Sequence, residues 1–210
     1  MSEYVTLDRW VTLLQSLAQD DQKLLSFQAL RQMTGLNEAA LRKALHRLEQ
    51  KGFIVRLGRH LYANGLARPT LEEVAMIVGC PAYVSFESAL AQAGVLSQMP
   101  LTLTCASTTR SGRHSTPLGD IIFHRLRADL FFGYHLQDGV AWADAEKALL
   151  DWVYLSLKTQ GSTPPLDELD CEPLDWDRLR EWAGHYPRTV VKALNAIAGC
   201  SSLWGQSSWT

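Results

Sequence analysis

The residues with the clearest chemical potential are cationic and polar side chains between Asn37 and His60. Arginine can donate two hydrogen bonds to a guanine edge, and lysine can bond a base or a phosphate. The segment from Arg31 to Arg68 carries a local net charge of +6 in a chain whose formal charge is −2. Such asymmetry predicts contact with a polyanion. The candidate residues are Asn37, Glu38, Arg42, Lys43, His46, Arg47, Arg56, Arg59 and His60.

Two helices separated by a tight turn are predicted to position these side chains. Ser26 is a suitable N-cap, and Gly35 can end the helix that follows in the left-handed conformation. Asn37 is predicted to cap a second helix that reaches Lys51, with apolar residues on one face and cationic residues on the other. An earlier helix over residues 8–19, capped by Asp8, would pack behind it.

A two-stranded ribbon follows the second helix. Residues 53–57 alternate as a half-buried strand would, residues 58–60 form a turn, and residues 61–63 return as the partner strand. Helix-turn-helix followed by a β-ribbon is the winged-helix arrangement, in which the second helix enters a DNA major groove. The ribbon adds three of the candidates to the same side. The alternative is an ordinary solvated helix face.

The rest of the chain predicts an α+β fold. The expected organisation is an N-terminal winged helix-turn-helix domain over residues 1–66, an α+β C-terminal domain over 67–200 and a loose tail over 201–210. Strands are predicted at 101–105, 120–126, 130–135 and 140–142, and helices at 85–94, 143–160, 176–184 and 189–198. The C-terminal domain is therefore expected to be a small sheet flanked by helices.

The loop predicted over residues 107–116 is a candidate second basic site. Arg110, Arg113 and His114 lie there among hydroxyl side chains and Gly112. Such a loop can hold a phosphate through backbone N–H groups and charged donors. A solvated hairpin loop explains the same composition.

No arrangement of residues predicts catalysis. Asp144 and Glu146 fall in the first turn of a predicted helix, where negative charge is stabilised by the helix dipole, and Asp151 is expected on its exposed face. His114 and His124 lack a nucleophile elbow or a glycine-rich phosphate loop nearby. We therefore expect neither an enzyme nor a cofactor.

The cysteines and the hydropathy pattern bear on the compartment. The four cysteines are scattered without CxxC spacing, which favours buried or free thiols over a metal site. There is no secretory signal and no apolar window of about 18 residues that could cross a membrane. The chain is expected to be cytoplasmic.

One block of the chain resembles the AbiEi family of antitoxins from bacterial abortive-infection toxin–antitoxin operons. The likeness is carried by YVSFESALAQAGVLSQMP (83–100), TTRSG (108–112), TPLGDIIFHRL (116–126), FFGY (131–134) and AEKALLDW (145–152). A winged-helix domain in front of this block is also the family's order. The resemblance implies a DNA-binding autorepressor whose C-terminal domain counteracts a nucleotidyltransferase-type toxin encoded next to it.

These observations give one leading hypothesis and one alternative. The leading hypothesis is an autorepressor and antitoxin that reads an inverted-repeat operator in double-stranded DNA, with two copies, as a homodimer on the repeat, supplying the affinity. Its toxin would be a functional partner even without direct contact. The alternative is a plain winged-helix regulator whose C-terminal domain dimerises or senses a ligand.

Overall fold

The computed structural model describes residues 4–166 and 169–195. They divide into two compact units, one running up to Val74 and including Ser115–Gly119, the other formed by Ala75–His114 and the chain from Asp120 onward. The predicted fold class is confirmed, because a helix-turn-helix domain is followed by an α+β region with a mixed sheet flanked by helices.

The first unit packs three helices against a three-stranded antiparallel sheet of order β1-β3-β2. Its elements are α1 (Leu7–Gln19), β1 (Leu24–Ser26), α2 (Phe27–Thr34), α3 (Glu38–Gln50), β2 (Ile54–Gly58) and β3 (Leu61–Asn64). One apolar core joins them, with Trp10, Leu14 and Leu41 at most 1% exposed. α3 is thus fixed along its apolar face.

Local capping explains where the two helices of the motif begin and end. The Ser26 hydroxyl accepts a hydrogen bond from the Ala29 amide at 3.0 Å, and the Asn37 side chain accepts one from the Ala40 amide at 2.9 Å. Gly35 has a φ of +66°, which favours glycine. These three predictions are confirmed. Asp8 as the cap of α1 is wrong, because that helix begins at Leu7 after Thr6.

The second unit contains a six-stranded mixed sheet of order β6-β7-β5-β4-β9-β8. α4 (Leu71–Val78) spans the division between the units. The elements that follow are β4 (Ala82–Val84), α5 (Phe86–Gln92), β5 (Leu103–Ser107), β6 (Gly112–Thr116), β7 (Gly119–Arg125), a 3-10 turn (Ala128–Leu130), β8 (Tyr134–Gln137), β9 (Val140–Ala143), α6 (Ala145–Thr159), α7 (Trp176–Ala183) and α8 (Arg188–Asn195). α6 packs against α5, α7 and α8, and most of its own residues between Glu146 and Ser156 are buried.

Several sequence expectations differ from the structure. The strand predicted over 130–135 begins at Tyr134, after the 3-10 turn, and the loop predicted over 107–116 becomes strand β6 from Gly112. Cys171 is disulfide-bonded, so the expectation of free thiols is wrong for that residue. The predicted tail over 201–210 lies outside the described residues.

Candidate nucleic-acid interface

The exposed face of α3 has a centre and two flanks. The buried residues Leu41, Ala44, Leu45 and Leu48 are at most 3% exposed, so they fix which side of the helix faces the core. At 3.6 residues per turn, the side opposite them carries Ala39, Lys43, His46 and Gln50. Arg42 lies on one flank and Arg47 on the other, and all six of these side chains are exposed.

The first flank is organised around Arg42. Its Nε donates to Glu38 Oε1 at 3.1 Å, and its guanidinium carbon lies 5.3 Å from the centroid of the Phe27 ring. Phe27 in turn meets the His60 ring edge-on at 5.3 Å. The hydrogen bond from Arg42 lowers the pKa of Glu38 below its ordinary value. Arg42 is therefore held in place, and its charge is partly neutralised.

The second flank is organised around Arg47 and the N-terminal segment. Arg47 Nη1 donates to the Tyr4 hydroxyl at 3.1 Å, and the guanidinium carbon lies 4.9 Å from the centroid of the Tyr4 ring. Val5 packs against the core and anchors this segment. No carboxylate pairs with Arg47 within the described chain, so it keeps its full positive charge.

The centre of the face is open. Within residues 4–166 and 169–195, Lys43 and His46 make no hydrogen bond or ion pair with the protein. They line a surface groove of about 580 Å³ together with Tyr4, Asn37, Ala39 and Arg47. Their donors are therefore available to a ligand.

The ribbon formed by β2 and β3 turns sharply. Its turn consists of Arg59 and His60, and His60 has a φ of +64°. The His60 carbonyl accepts a hydrogen bond from the Phe27 amide at 2.9 Å, which ties the turn to α2. Arg56 is exposed and bonds the Gly58 carbonyl at 3.3 Å. The predicted alternation of the strand is wrong, because Ile54 and Leu57 are buried, three residues apart, and the register shifts between Arg56 and Gly58.

In the second basic site predicted from the sequence, the arginines and two backbone amides already have partners within the protein. Arg110 donates to the Val78 carbonyl at 2.7 Å and lies over the Phe123 ring, while Arg113 pairs with Asp120 at 3.4 Å. The Ser107 hydroxyl accepts hydrogen bonds from the amides of residues 109 and 110, each at 3.2 Å. Two of the N–H groups expected to hold a phosphate are thus already bonded. His114, half-buried in β6, also has an interaction partner.

The expected exposure of Asp151 on α6 is wrong, and the other two carboxylates at the start of the helix are also engaged. Glu146 is 3% exposed and accepts a hydrogen bond from the Asp175 amide at 2.7 Å, and Asp151 is fully buried. Asp144 precedes α6 as its N-cap residue and bonds His135 at 2.7 Å. These carboxylates therefore hold protein groups together.

A buried polar cluster in the second unit was missed from the sequence. Lys147 forms an ion pair with Asp151 and donates to the hydroxyls of Tyr83 at 2.8 Å and Tyr186 at 2.7 Å. Asp151 accepts from Tyr83 at 2.9 Å, Ser85 at 2.9 Å and Tyr186 at 2.6 Å. All three ammonium protons and both carboxylate oxygens are satisfied, as buried charges require. The tyrosines are remote in sequence, so no local signal could have revealed this cluster.

Burial shifts the titration of these groups. Desolvation lowers the pKa of Lys147, and the charge of Asp151 opposes part of that shift. Desolvation, followed by the charge of Asp151, raises the pKa of both Tyr83 and Tyr186 well above the ordinary tyrosine range. Lys147 and Asp151 are completely excluded from solvent, so the cluster joins β4, α6 and the segment before α8.

Comparisons with known proteins agree with the geometry of the first unit. Residues 6–58 match the IclR helix-turn-helix domain, so this part of the chain is a DNA-binding domain of the kind found in transcriptional regulators. The crystal structure of the RV2827C protein from Mycobacterium tuberculosis is similar, with a TM-score of 0.62 and 13% sequence identity over 90% of this chain and 75% of that one. At this identity the likeness shows the fold alone. No curated protein matches the chain.

Membrane insertion and metal binding are two other classes of function. No helix in the part of the chain that the structure describes is long and apolar enough to cross a membrane. The same residues contain no group of three or more histidine, cysteine or acidic side chains placed to hold a metal ion.

Proposed function

We propose that the protein is a transcriptional repressor that binds double-stranded DNA through α3 and the β2–β3 ribbon. The observation that carries this proposal is the exposed cationic face of α3 within a helix-turn-helix domain. The recognition helix of such domains enters the major groove and contacts base edges with its N-terminal residues. The contacts we assign are Asn37, Glu38, Arg42, Lys43, His46 and Arg47 from the helix and Arg56, Arg59 and His60 from the ribbon.

Charge supports a polyanionic ligand. About six cations on this face meeting phosphates would release their counterions, so affinity should fall on the order of 10³-fold between about 50 and 200 mM salt. Fluorescence anisotropy with a labelled mixed-sequence duplex measures this directly. A chain that binds the duplex with no response to salt, or does not bind it, contradicts the proposal.

The operator is proposed to be an inverted repeat. One recognition helix covers a short half-site, so tight binding requires two copies on DNA. Footprinting on the upstream region of the protein's own gene should protect two half-sites related by a dyad. Protection of a single isolated half-site would contradict this arrangement.

The second unit is proposed to act as an antitoxin against a nucleotidyltransferase-type toxin. The support is the resemblance of residues 83–151 to the AbiEi family; the match to the helix-turn-helix domain fits a plain regulator equally well. Co-expression with the neighbouring gene separates the two functions. Rescue of growth by a chain that carries Lys43→Ala and His46→Ala, and so cannot repress, supports antitoxin activity. A neighbouring gene that is not toxic leaves the plain regulator as the function.

A further inference from the structure

The two flanking arginines of α3 share an arrangement that the central residues lack. Arg42 lies over the ring of Phe27 at 5.3 Å, and Arg47 lies over the ring of Tyr4 at 4.9 Å. Stacking fixes the plane of each guanidinium. Arg42 gives Nε and Nη2 to Glu38, and Arg47 gives Nη1 to the Tyr4 hydroxyl, so the remaining donors of each are left for a ligand. Two arginines held in this way on opposite flanks suit two fixed acceptors rather than variable base edges.

The centre of the face has the opposite character. Lys43 and His46 have no protein partner within the described residues, and Ala39 leaves room beside them. Gln50 continues the same stripe one turn further along. Side chains with free donors and small neighbours can adapt to base edges, where sequence is read. Phosphate contacts fix register and carry no sequence information directly.

Resting on the proposed function, we infer that Arg42 and Arg47 grip the phosphates on the two sides of the major groove, while Ala39, Lys43, His46 and Gln50 read the bases between them. Tyr4 and Phe27 act as positioning residues, since each acts through the arginine that it stacks on. Glu38 weakens one side of the grip, because it accepts the Nε donor of Arg42 and offsets its charge.

The Tyr4–Arg47 pair provides the sharpest test because the Tyr4 side chain is 57% exposed and does not belong to the core cluster. On a labelled mixed-sequence duplex, Tyr4→Ala and Arg47→Ala should each weaken binding by about tenfold, which is the scale of one charge-assisted hydrogen bond. Each should also lower the salt slope by about one. The double variant should lose no more than Arg47→Ala alone. Tyr4→Phe retains the ring and should fall between wild type and Tyr4→Ala.

Control variants distinguish the loss of a specific phosphate contact from the loss of any positive surface charge. Arg9→Ala removes one exposed charge from α1 and should leave the affinity within about twofold. Glu38→Gln should tighten binding to the mixed-sequence duplex, since it removes the negative charge that offsets Arg42. Circular dichroism of each variant establishes that the fold is retained. Tyr4→Ala binding as tightly as wild type, or more tightly, would show that Tyr4 masks Arg47 and would overturn the inference.

Selection from a randomised duplex pool tests the division of labour. Lys43→Ala and His46→Ala should change the selected sequence, with roughly 5- to 150-fold loss of discrimination at the positions read. Arg42→Ala and Arg47→Ala should select the wild-type sequence at lower affinity. If wild type binds DNA and Arg42→Ala or Arg47→Ala selects a new sequence, then that arginine reads bases and the inferred division between phosphate contacts and base contacts is wrong. If wild type binds no duplex, the proposed function itself has failed.

Discussion

Lys147 and Asp151 lie one helical turn apart on α6 and form an ion pair from which solvent is completely excluded. Burying two charges costs several kcal/mol per ion unless hydrogen bonds satisfy them. Here the hydroxyls of Tyr83, Ser85 and Tyr186 complete the set. The pair therefore links α6 to β4 and to the segment before α8.

Removing one partner of this pair should be costly. Asp151→Ala leaves the Lys147 ammonium buried without a counter-charge, and we expect a loss of about 3–5 kcal/mol in the free energy of unfolding, measured by urea titration. Asp177→Ala, which removes an exposed carboxylate paired with Arg180, should cost at most about 1 kcal/mol. Equal losses for the two variants would show that the buried pair is not important for stability.

Alkaline pH should destabilise the protein through Tyr83 and Tyr186. Their raised pKa values keep both phenols protonated in the folded chain, whereas unfolding lets them ionise above about pH 10. The unfolded state then binds fewer protons, so stability falls with rising pH, by about 1.4 kcal/mol per pH unit for each tyrosine. The lowered pKa of Lys147 acts with the opposite sign only below its ordinary value of 10.5.

Urea midpoints at pH values above about 10.5 measure this effect without the contribution of Lys147. Tyr83→Phe should remove about half of the dependence that the two tyrosines together produce. A stability that does not change between about pH 10.5 and 12 would mean that both phenols ionise as readily in the folded chain as in the unfolded one.

Asn37 should have separable structural and binding roles. Asn37→Ala removes the cap on the Ala40 amide and should cost about 1 kcal/mol of stability. Asn37→Asp keeps a capping oxygen, so the stability should be retained while the added negative charge weakens binding to duplex DNA. Thermal unfolding and anisotropy on the same samples measure both quantities. Unchanged DNA affinity in Asn37→Asp would exclude a position near phosphates.

Asn64 should matter for the first unit although it cannot touch a ligand. It is fully buried, donates to the Leu14 carbonyl at 2.9 Å and accepts from the Leu66 amide at 3.0 Å. Asn64→Ala leaves the Leu66 amide without this acceptor, so we expect a loss of about 1–3 kcal/mol by thermal unfolding. An exposed control, Gln50→Ala on α3, should leave stability within about 0.5 kcal/mol.

Gly79 should tolerate no side chain. A Cβ at this position would lie 2.1 Å from Cε1 of Phe123, so Gly79→Ala forces the ring to move and should cost about 1–3 kcal/mol. Adding Phe123→Leu provides space, so the double variant should lose less than the sum of the two single losses. Urea titration of the four proteins gives the coupling energy. Strict additivity would show that the ring is not the obstacle.

The first unit was largely predictable because its signals are local. The cap at Asn37, the stop at Gly35 and the apolar face of α3 are all set within one or two helical turns of sequence. The three-residue strand β1 was missed, because it is too short to show periodicity and is defined by its pairing with β3. The partners of Arg42 and Arg47 were also missed, since Phe27 and Tyr4 meet them only after folding.

The second unit was less predictable because its polar contacts are long-range. A lysine and an aspartate four residues apart are typical of a solvated helix face. Only Tyr83, 64 residues before Lys147, and Tyr186, 39 residues after it, reveal the burial. Ser85 shows the same difficulty: its hydroxyl precedes α5 as a cap would, yet it donates to Asp151 and makes no capping bond.

The two-residue turn between β2 and β3 limits how much of a genome one molecule can distinguish. A ribbon that ends at Arg59 and His60, with His60 packed on Phe27, is too short to extend far along a neighbouring minor groove. The base sequence that one molecule recognises would then be confined to the few base pairs beneath α3. Selectivity among millions of competing sites would depend more on the spacing between the two half-sites than on the bases that either molecule reads.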